Sequence, residues 1–284
     1  MISIVDSISL PGFDDRANED RFGFTDDAAF VIDGATGLGN PLLTGPGGSD
    51  AAWIADFAAL GFEAMLAKGG SVVDAVRAVN TDVLRLVGLC APDAPDWALP
   101  IAGFQAVTWR NGLLETWGLG DCSLIVIDAA GATWRASGLP GAAERERAET
   151  RARSDETGPL NGRQLYEMPD VLAGLREARA RFNKPGQPVW TLGASPSAAN
   201  HVSRMAIHAA LPAVGLLATD GFMALVETYG QFDPAGLVAA AENDGLEMLG
   251  SLLRQTERVA DPECITWPRY KISDDATAIL FEIG

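Results

Sequence analysis

The sequence predicts an α+β fold built on antiparallel sheets. Three observations lead there. Strand-like segments arrive as neighbours rather than alternating with helices, so the chain is a meander and not a βαβ series. Asn111-Gly112 separates two apolar runs, the strongest short-range hairpin signal. Two adjacent segments of helical period each begin at a capping serine, which marks a packed helix pair.

The elements follow in order. Residues 1–10 and 20–34 read as strands, the second stretch forming a hairpin that turns near Asp26-Asp27. "GATGLGNPLLTGPGGSD" is rich in Gly and Pro and reads as loop. Ser49 caps a helix running to about Lys68, with Trp53, Phe57, Leu60 and Ala64 on one face. Ser71 with Asp74 resembles a capping box with a short acid, and Val72, Val76, Val79, Val83 and Leu86 form the stripe behind it. "GFQAVTW", "LLETWGLG" and "SLIVIDAAG" continue the strands. A polar stretch, about 138–165, reads as a flap or solvated helix. "DVLAGLREARARF" and "SPSAANHVSRMAIHAA" read as helices, "AVGLLAT" as a strand, Asp233 to Arg258 as one helix, and "ATAILFEI" as the last strand. No composition break and no internal repeat divides the chain, so residues 1–284 are expected to form a single domain whose strands are covered on both faces.

A net charge of −17 argues against general nucleic-acid or anionic-membrane binding, which need basic surface, and favours cations or basic partners. Cys90, Cys122 and Cys264 are far apart, which excludes a disulfide framework and a structural zinc site. With no basic, apolar leader at "MISIVDSISL" and no membrane-length apolar run, the expected setting is cytoplasmic.

Acids mark the strand tips. Asp33 ends "FVI", Asp220 ends "LLAT", Asp274-Asp275 precede "ATAILFEI", and Asn18-Glu19-Asp20 stand before "RFGF". Gathering buried carboxylates is costly through desolvation and like-charge repulsion, and a divalent cation offsets both. Hard oxygen ligands select Mg²⁺, Mn²⁺ or Ca²⁺ over zinc. An Asp-Gly pair can instead be a type I′ turn, but that needs a strand at once after it. Here a glycine-rich loop follows Asp33-Gly34 and a helix-like segment follows Asp220-Gly221. Glycine beside the acid also lets a backbone carbonyl approach a metal.

Other chemistries fit less well. There is no P-loop and no Asp-x-Asp. Cys264 and Arg269 have four residues between them, one short of a cysteine-phosphatase loop, so Cys264 reads as a core thiol. His201 and His208 are the only histidines, seven apart on an expected helix, which makes a Ser-His-Asp site improbable.

"NEDRFGF…FVIDGATG…GLGDCSLIVID…LLATDGF…DDATAILF" resembles the metal-dependent Ser/Thr protein phosphatases of type 2C, the PPM family, in motif order over about residues 13–281. The resemblance implies an αββα sandwich of two antiparallel sheets flanked by helix pairs. It implies two divalent ions, Mn²⁺ or Mg²⁺, in a cleft at one end. By position, Asp33 would bridge the ions and the Gly34 carbonyl would bind one. Asp220 and Asp274 would bind the other, and Glu19 and Asp20 would act through bound waters. Asp275 stands where the family usually has Asn, and Gly120-Asp121 matches a strand motif that is structural there. The implied catalytic groups are thus Asp33, Asp220 and Asp20, and the implied metal ligands Asp33, Gly34, Asp220, Asp274 and Glu19. The family's phosphate-gripping Arg falls at Asp15, leaving Arg16, one residue late, as the candidate. The family's Asp-Gly-His-Gly reads Asp33-Gly34-Ala35-Thr36, so the general-acid His is missing. The third-metal Asp has no match near "PIAGFQAV", with Asp96 a few residues earlier.

The implied function is hydrolysis of phosphoserine and phosphothreonine on proteins by a water shared between two ions about 3.5–4 Å apart, carried out by a monomer. The alternatives are a phosphatase for a small or atypical phosphate ester, and a weakly catalytic binding module on the same scaffold.

Overall fold

Alternation along the strands sorts the apolar side chains into three layers. In β3 (Ala28–Gly34), Ala28, Phe30 and Ile32 face one way and Ala29 and Val31 the other. In β11 (Ala276–Ile283), Ala276, Ala278 and Leu280 oppose Ile279, Phe281 and Ile283. A strand of period two with both faces apolar must be covered on both sides. The structure, a computed structural model, describes residues 1–157 and 164–284.

The covering elements are helices outside and a second sheet inside. One antiparallel sheet has the order β1 (Ile2–Leu10), β11, β10 (Ala213–Ala218), β6 (Ser123–Asp128), β7 (Thr133–Ser137). The other has the order β2 (Asp20–Thr25), β3, β4 (Ile101–Arg110), β5 (Leu113–Leu119), β9 (Ser203–Ile207), with short β8 (Leu192–Gly193) added to β4. Their inner faces meet through Val31, Leu124, Leu217 and Phe281. Outside the second sheet lie α1 (Asp50–Leu66) and α2 (Val72–Cys90), whose Ile54, Phe62 and Val83 pack on Phe30 and Phe104. Outside the first lie α5 (Asp220–Glu227), α6 (Pro234–Asp244) and α7 (Leu246–Gln255), packing Phe222, Leu237 and Leu249 on Leu216 and Leu280. The result is the αββα sandwich.

Local chemistry sets several boundaries as expected. Ser49 accepts from the Ala52 amide at 3.1 Å, and Ser71 accepts from the Asp74 amide at 3.0 Å. Asn111 and Gly112 both take positive φ between β4 and β5, as a type I′ hairpin requires. Two expectations are corrected. The "SPSAANHVSRMAIHAA" stretch is not a helix but a 3₁₀ turn (Pro196–Asn200) followed by β9, an edge strand on β5. Edge pairing there outweighs the helix propensity of its alanines, with Arg204 lying over the Trp117 ring opposite it. The expected single helix from Asp233 to Arg258 is broken at Gly245, whose φ of 82° ends α6 and starts α7. The Leu246 amide at that break donates to Asp6. β7 was not expected from sequence.

The polar stretch contains α3 (Ala142–Thr157). Thr150 docks it, donating its hydroxyl to the Pro268 carbonyl at 2.9 Å. The expected flap at 138–165 includes residues 158–163, which lie outside the described residues. From Leu165 the chain runs through a 3₁₀ turn into α4 (Pro169–Arg179). Among the described residues no helix is long and apolar enough to cross a membrane.

Candidate active site

The antiparallel register brings the acids together. Asp20 opens β2 and Asp33 nearly closes β3, so the two are direct cross-strand partners. On its other side Asp33 is paired with Gly103 of β4. Asp121 follows β5, Asp220 is the first residue of α5 just beyond β10, and Asp274 precedes β11. All five strand ends lie at one end of the sandwich. Asp33 and Asp220 therefore sit within strand and helix, and the turn reading of both Asp-Gly pairs is excluded.

Threonines stitch the two sheets at this point. The Thr219 hydroxyl donates to Asp20 at 2.7 Å and accepts from the Thr277 amide at 3.0 Å. Asp20, 2% exposed, is thereby fixed from the opposite sheet. Asp275 plays a similar part: its two carboxylate oxygens accept from the Gly12 and Glu19 amides, each at 2.6 Å. Glu19 is oriented in turn by the hydroxyls of Thr36 and Ser49, both at 2.5 Å.

Two glycines let these pieces approach. A Cβ on Gly34 would stand 2.4 Å from the Ala51 carbonyl oxygen and 2.7 Å from that of Glu19. A Cβ on Gly221 would stand 1.9 Å from the Asp275 oxygen. The glycine after each acid is required by backbone packing in addition to any role of its carbonyl.

Asp33, Asp121, Asp220 and Asp274 line one cavity of about 240 Å³. Removal from water, followed by the charges of Asp220, Asp20, Asp121 and Asp274, holds the Asp33 carboxyl well above the usual range. Asp20 is raised well above it too, by burial first, with its Thr219 hydrogen bond opposing. Burial and then Asp121 and Asp274 push Asp220 up to about 7, while its hydrogen bond with Asp33 acts against the rise. Asp121 and Glu19 are raised, each mainly by burial.

Several residues reach this place that the sequence did not mark. Asp121, expected to be structural, lines the acid cavity. Glu146 of α3 faces it also: loss of water around its carboxyl, then Asp220, Asp121 and Asp274, push it up to about 8, although the residue as a whole is exposed. Lys271 donates to Asp274 at 2.6 Å and to the Thr36 hydroxyl at 2.9 Å. Arg179 donates to the Thr36 carbonyl at 2.7 Å. Glu146 and Arg179 are not signalled by spacing, because each comes from a segment distant in sequence from the acids it meets, whereas Lys271 stands three residues before Asp274.

Other candidates stand elsewhere or are otherwise engaged. Arg16 is exposed on the rim of the neighbouring cavity. It donates to the Tyr166 hydroxyl, lies 4.8 Å over the Phe13 ring, and approaches Glu167 at 3.9 Å. Asp96 is paired with Lys184 at 2.9 Å in a surface turn. His201 stacks on Trp190 with centroids 3.6 Å apart, and neither it nor His208 lines the acid cavity. Cys264 is buried, and Arg269 is committed to Asp261 and nearby carbonyls, so no thiol-phosphatase loop forms.

The donor set fits a hard divalent cation: buried or half-buried carboxylates cluster at one cavity, with Lys271 the ammonium bonded among them. Among the described residues, however, no three His, Cys, Asp or Glu side chains are grouped closely enough to hold a metal ion as they stand. The residues that would hold ions there are Asp33, the Gly34 carbonyl, Asp220 and Asp274, with Glu19 and Asp20 behind them.

No protein-family model and no curated protein matches the chain. Solved structures do match it over its whole length. The Ser/Thr phosphatase PstP/Ppp of Mycobacterium tuberculosis is 14% identical with a TM-score of 0.57, covering 100% of this chain and 99% of that one. The PPM Ser/Thr phosphatase MsPP of Mycobacterium smegmatis, solved with cacodylate, is 17% identical with a TM-score of 0.55, covering 99% and 100%. The catalytic domain of PstP, solved with two manganese ions, is 13% identical with a TM-score of 0.55, covering 100% of both.

Proposed function

We propose that this chain, which has the fold of the PPM Ser/Thr phosphatases, is a divalent-metal-dependent phosphatase of phosphoserine and phosphothreonine proteins. The observation that carries the reading is the meeting of Asp33 and Asp220, brought from the two different sheets, with Asp121 and Asp274 at one cavity. Such a pair is unfavourable in an empty protein and favourable around a cation. The manganese ions of the PstP structure and the cacodylate of MsPP, an oxyanion, are in keeping with a metal and phosphate site on this scaffold.

Bound at these acids, Mn²⁺ or Mg²⁺ would neutralise phosphoryl oxygens and acidify a water for attack on phosphorus. The chain's own groups supply the rest. Asp20 and Glu19, held by Thr219, Thr36 and Ser49, orient waters at the cleft. Asp275 fixes the backbone that carries Glu19. With no histidine at the cavity, protonation of the leaving oxygen falls to water or to an acid with a raised pKa.

Hydrolysis of p-nitrophenyl phosphate and a phosphothreonine peptide, with Mn²⁺, Mg²⁺ or chelator, tests this. Turnover should need metal and vanish in Asp33→Ala. Metal-independent turnover, or activity surviving that substitution, would overturn it. Cleavage of the aryl ester alone would move the substrate away from phosphoproteins. The α3 region stands beside the cavity, with Glu146 facing the acids. Deleting 140–165 should change peptide preference more than metal affinity, and an unchanged preference would remove its role in selection.

A further inference from the structure

Two cations share the acid cavity. Arg179 comes from the last turn of α4, and Lys271 from the loop before β11. Both are anchored on Thr36, one on its carbonyl and the other on its hydroxyl. Both also line the adjacent cavity of about 300 Å³ that contains Glu19. They therefore stand between the two cavities, where a group entering towards Asp33 and Asp220 passes them.

Arg176, one turn earlier, shows what a purely structural arginine looks like here. Its Nε and Nη2 both donate to the Leu38 carbonyl, at 2.9 and 2.6 Å, and its guanidinium lies 4.3 Å over Trp97. That fork is consumed in holding α4 to the 36–40 loop. Arg179 spends one of five donors, and among the described residues no carboxylate forms an ion pair with it. Burial draws its pKa down to about 10, with the charge of Glu19 opposing. Lys271 likewise has three ammonium protons and two hydrogen-bond partners. For Arg179, a cation drawn from water with a single hydrogen-bond partner is unfavourable, and an anion entering the cavity relieves that, while Lys271 is already favoured as an ammonium by Asp274.

We propose that Arg179 and Lys271 grip the phosphoryl group in this site. The guanidinium fork matches two phosphoryl oxygens, and the ammonium offers a point charge to a third. Arg16, the candidate from sequence, is already committed to Tyr166, Phe13 and Glu167 on the rim. A dianion approaching a cavity of carboxylates meets repulsion that these two cations offset. This assignment rests on the phosphatase reading.

The test is calorimetric titration of inorganic phosphate into the full chain loaded with Mg²⁺, beside separate Mn²⁺ titrations. Arg179→Ala should weaken phosphate binding by about tenfold or more, the scale of a lost charge-assisted contact. Arg179→Lys should recover part of it, and Lys271→Met should also weaken it. Arg176→Ala, in the structural anchor, should weaken phosphate binding clearly less than Arg179→Ala does. Arg179→Ala and Arg179→Lys should keep wild-type Mn²⁺ affinity. Unchanged phosphate affinity in Arg179→Ala, an equal loss in Arg176→Ala, or loss of metal together with phosphate would each overturn the assignment. Wild-type protein that binds Mn²⁺ but neither binds phosphate nor turns over substrate would remove the phosphatase reading as well. Wild-type turnover matched by Arg179→Ala would remove this assignment alone.

Discussion

Replacing Asp220 by Asn should stabilise the protein while it holds no metal. Burial and the charges of Asp121 and Asp274 make the Asp220 carboxylate unfavourable among its neighbours, raising its pKa from 3.8 to about 7. Converted directly, that rise is about 4 kcal/mol at pH 8. The hydrogen bond with Asp33 and the remaining contact with cavity water reduce the gain on neutralisation to about 1–3 kcal/mol. For a chain of this size each kcal/mol moves the melting temperature by about 2–4 °C. Asn has nearly the same shape and can keep a hydrogen bond to Asp33, so the change is chiefly one of charge. Thermal unfolding at pH 8, with chelator and with Mn²⁺, reads the effect directly. In chelator, Asp220→Asn should melt above wild type. In saturating Mn²⁺ the order should invert, because wild type gains binding free energy that the variant has lost. Turnover should be absent in the variant. A variant less stable than wild type in chelator, or raised by Mn²⁺ as much as wild type, would refute the argument that Asp220 is kept for a cation at the expense of stability.

The same charges set a pH dependence. Asp220 binds its proton more tightly folded than unfolded, so the folded state holds more protons from the ordinary carboxylate range, about pH 4, to about 7, and the raised Asp20 and Asp33 act in the same direction. Stability of the chelated protein should fall as pH rises through that window, and saturating Mn²⁺ should remove the fall; a melting temperature that rises there in chelator would contradict it. Gly221→Ala sets a Cβ 1.9 Å from a backbone oxygen and should cost at least about 2 kcal/mol and weaken Mn²⁺ binding. Gly88→Ala, in α2 with nothing within 4 Å, should instead stabilise by about 0.5–1 kcal/mol, and similar denaturation midpoints for the two variants would sink this packing argument. Asp275→Ala strands the Gly12 and Glu19 amides and should lower Mn²⁺ affinity about tenfold by releasing Glu19; unchanged affinity by calorimetry would make Asp275 a purely local brace.

What the sequence determined by itself was whatever depends on near neighbours. The Ser49 and Ser71 caps, the Asn111-Gly112 turn and the two-sided apolar runs of β3 and β11 are short-range, and each is visible in a window of a few residues. The acids at strand tips were legible for the same reason, since an apolar run that stops on Asp breaks a local pattern. Tertiary structure alone decided the rest. Residues 195–210 carry helix propensity in their alanines, and only the exposed edge of β5 made Ser203–Ile207 a strand. Gly245 divides α6 from α7 where Asp6 of β1 receives the Leu246 amide, a partner 240 residues away in sequence. Glu146, Arg179 and Lys271 carry no motif, and their meeting depends on how α3, α4 and the loop before β11 close over one end of the sandwich; Asp121 lay in a recognised motif, but its place at the acid cavity did not show in the sequence. Arg16 shows the converse: sequence position placed it near Glu19, while its own aromatic and carboxylate neighbours hold it on the rim. The physical reason is range. Propensity, capping and turn geometry act over one to four residues of chain, whereas the electrostatics of a cavity depend on which side chains packing brings within a few ångströms.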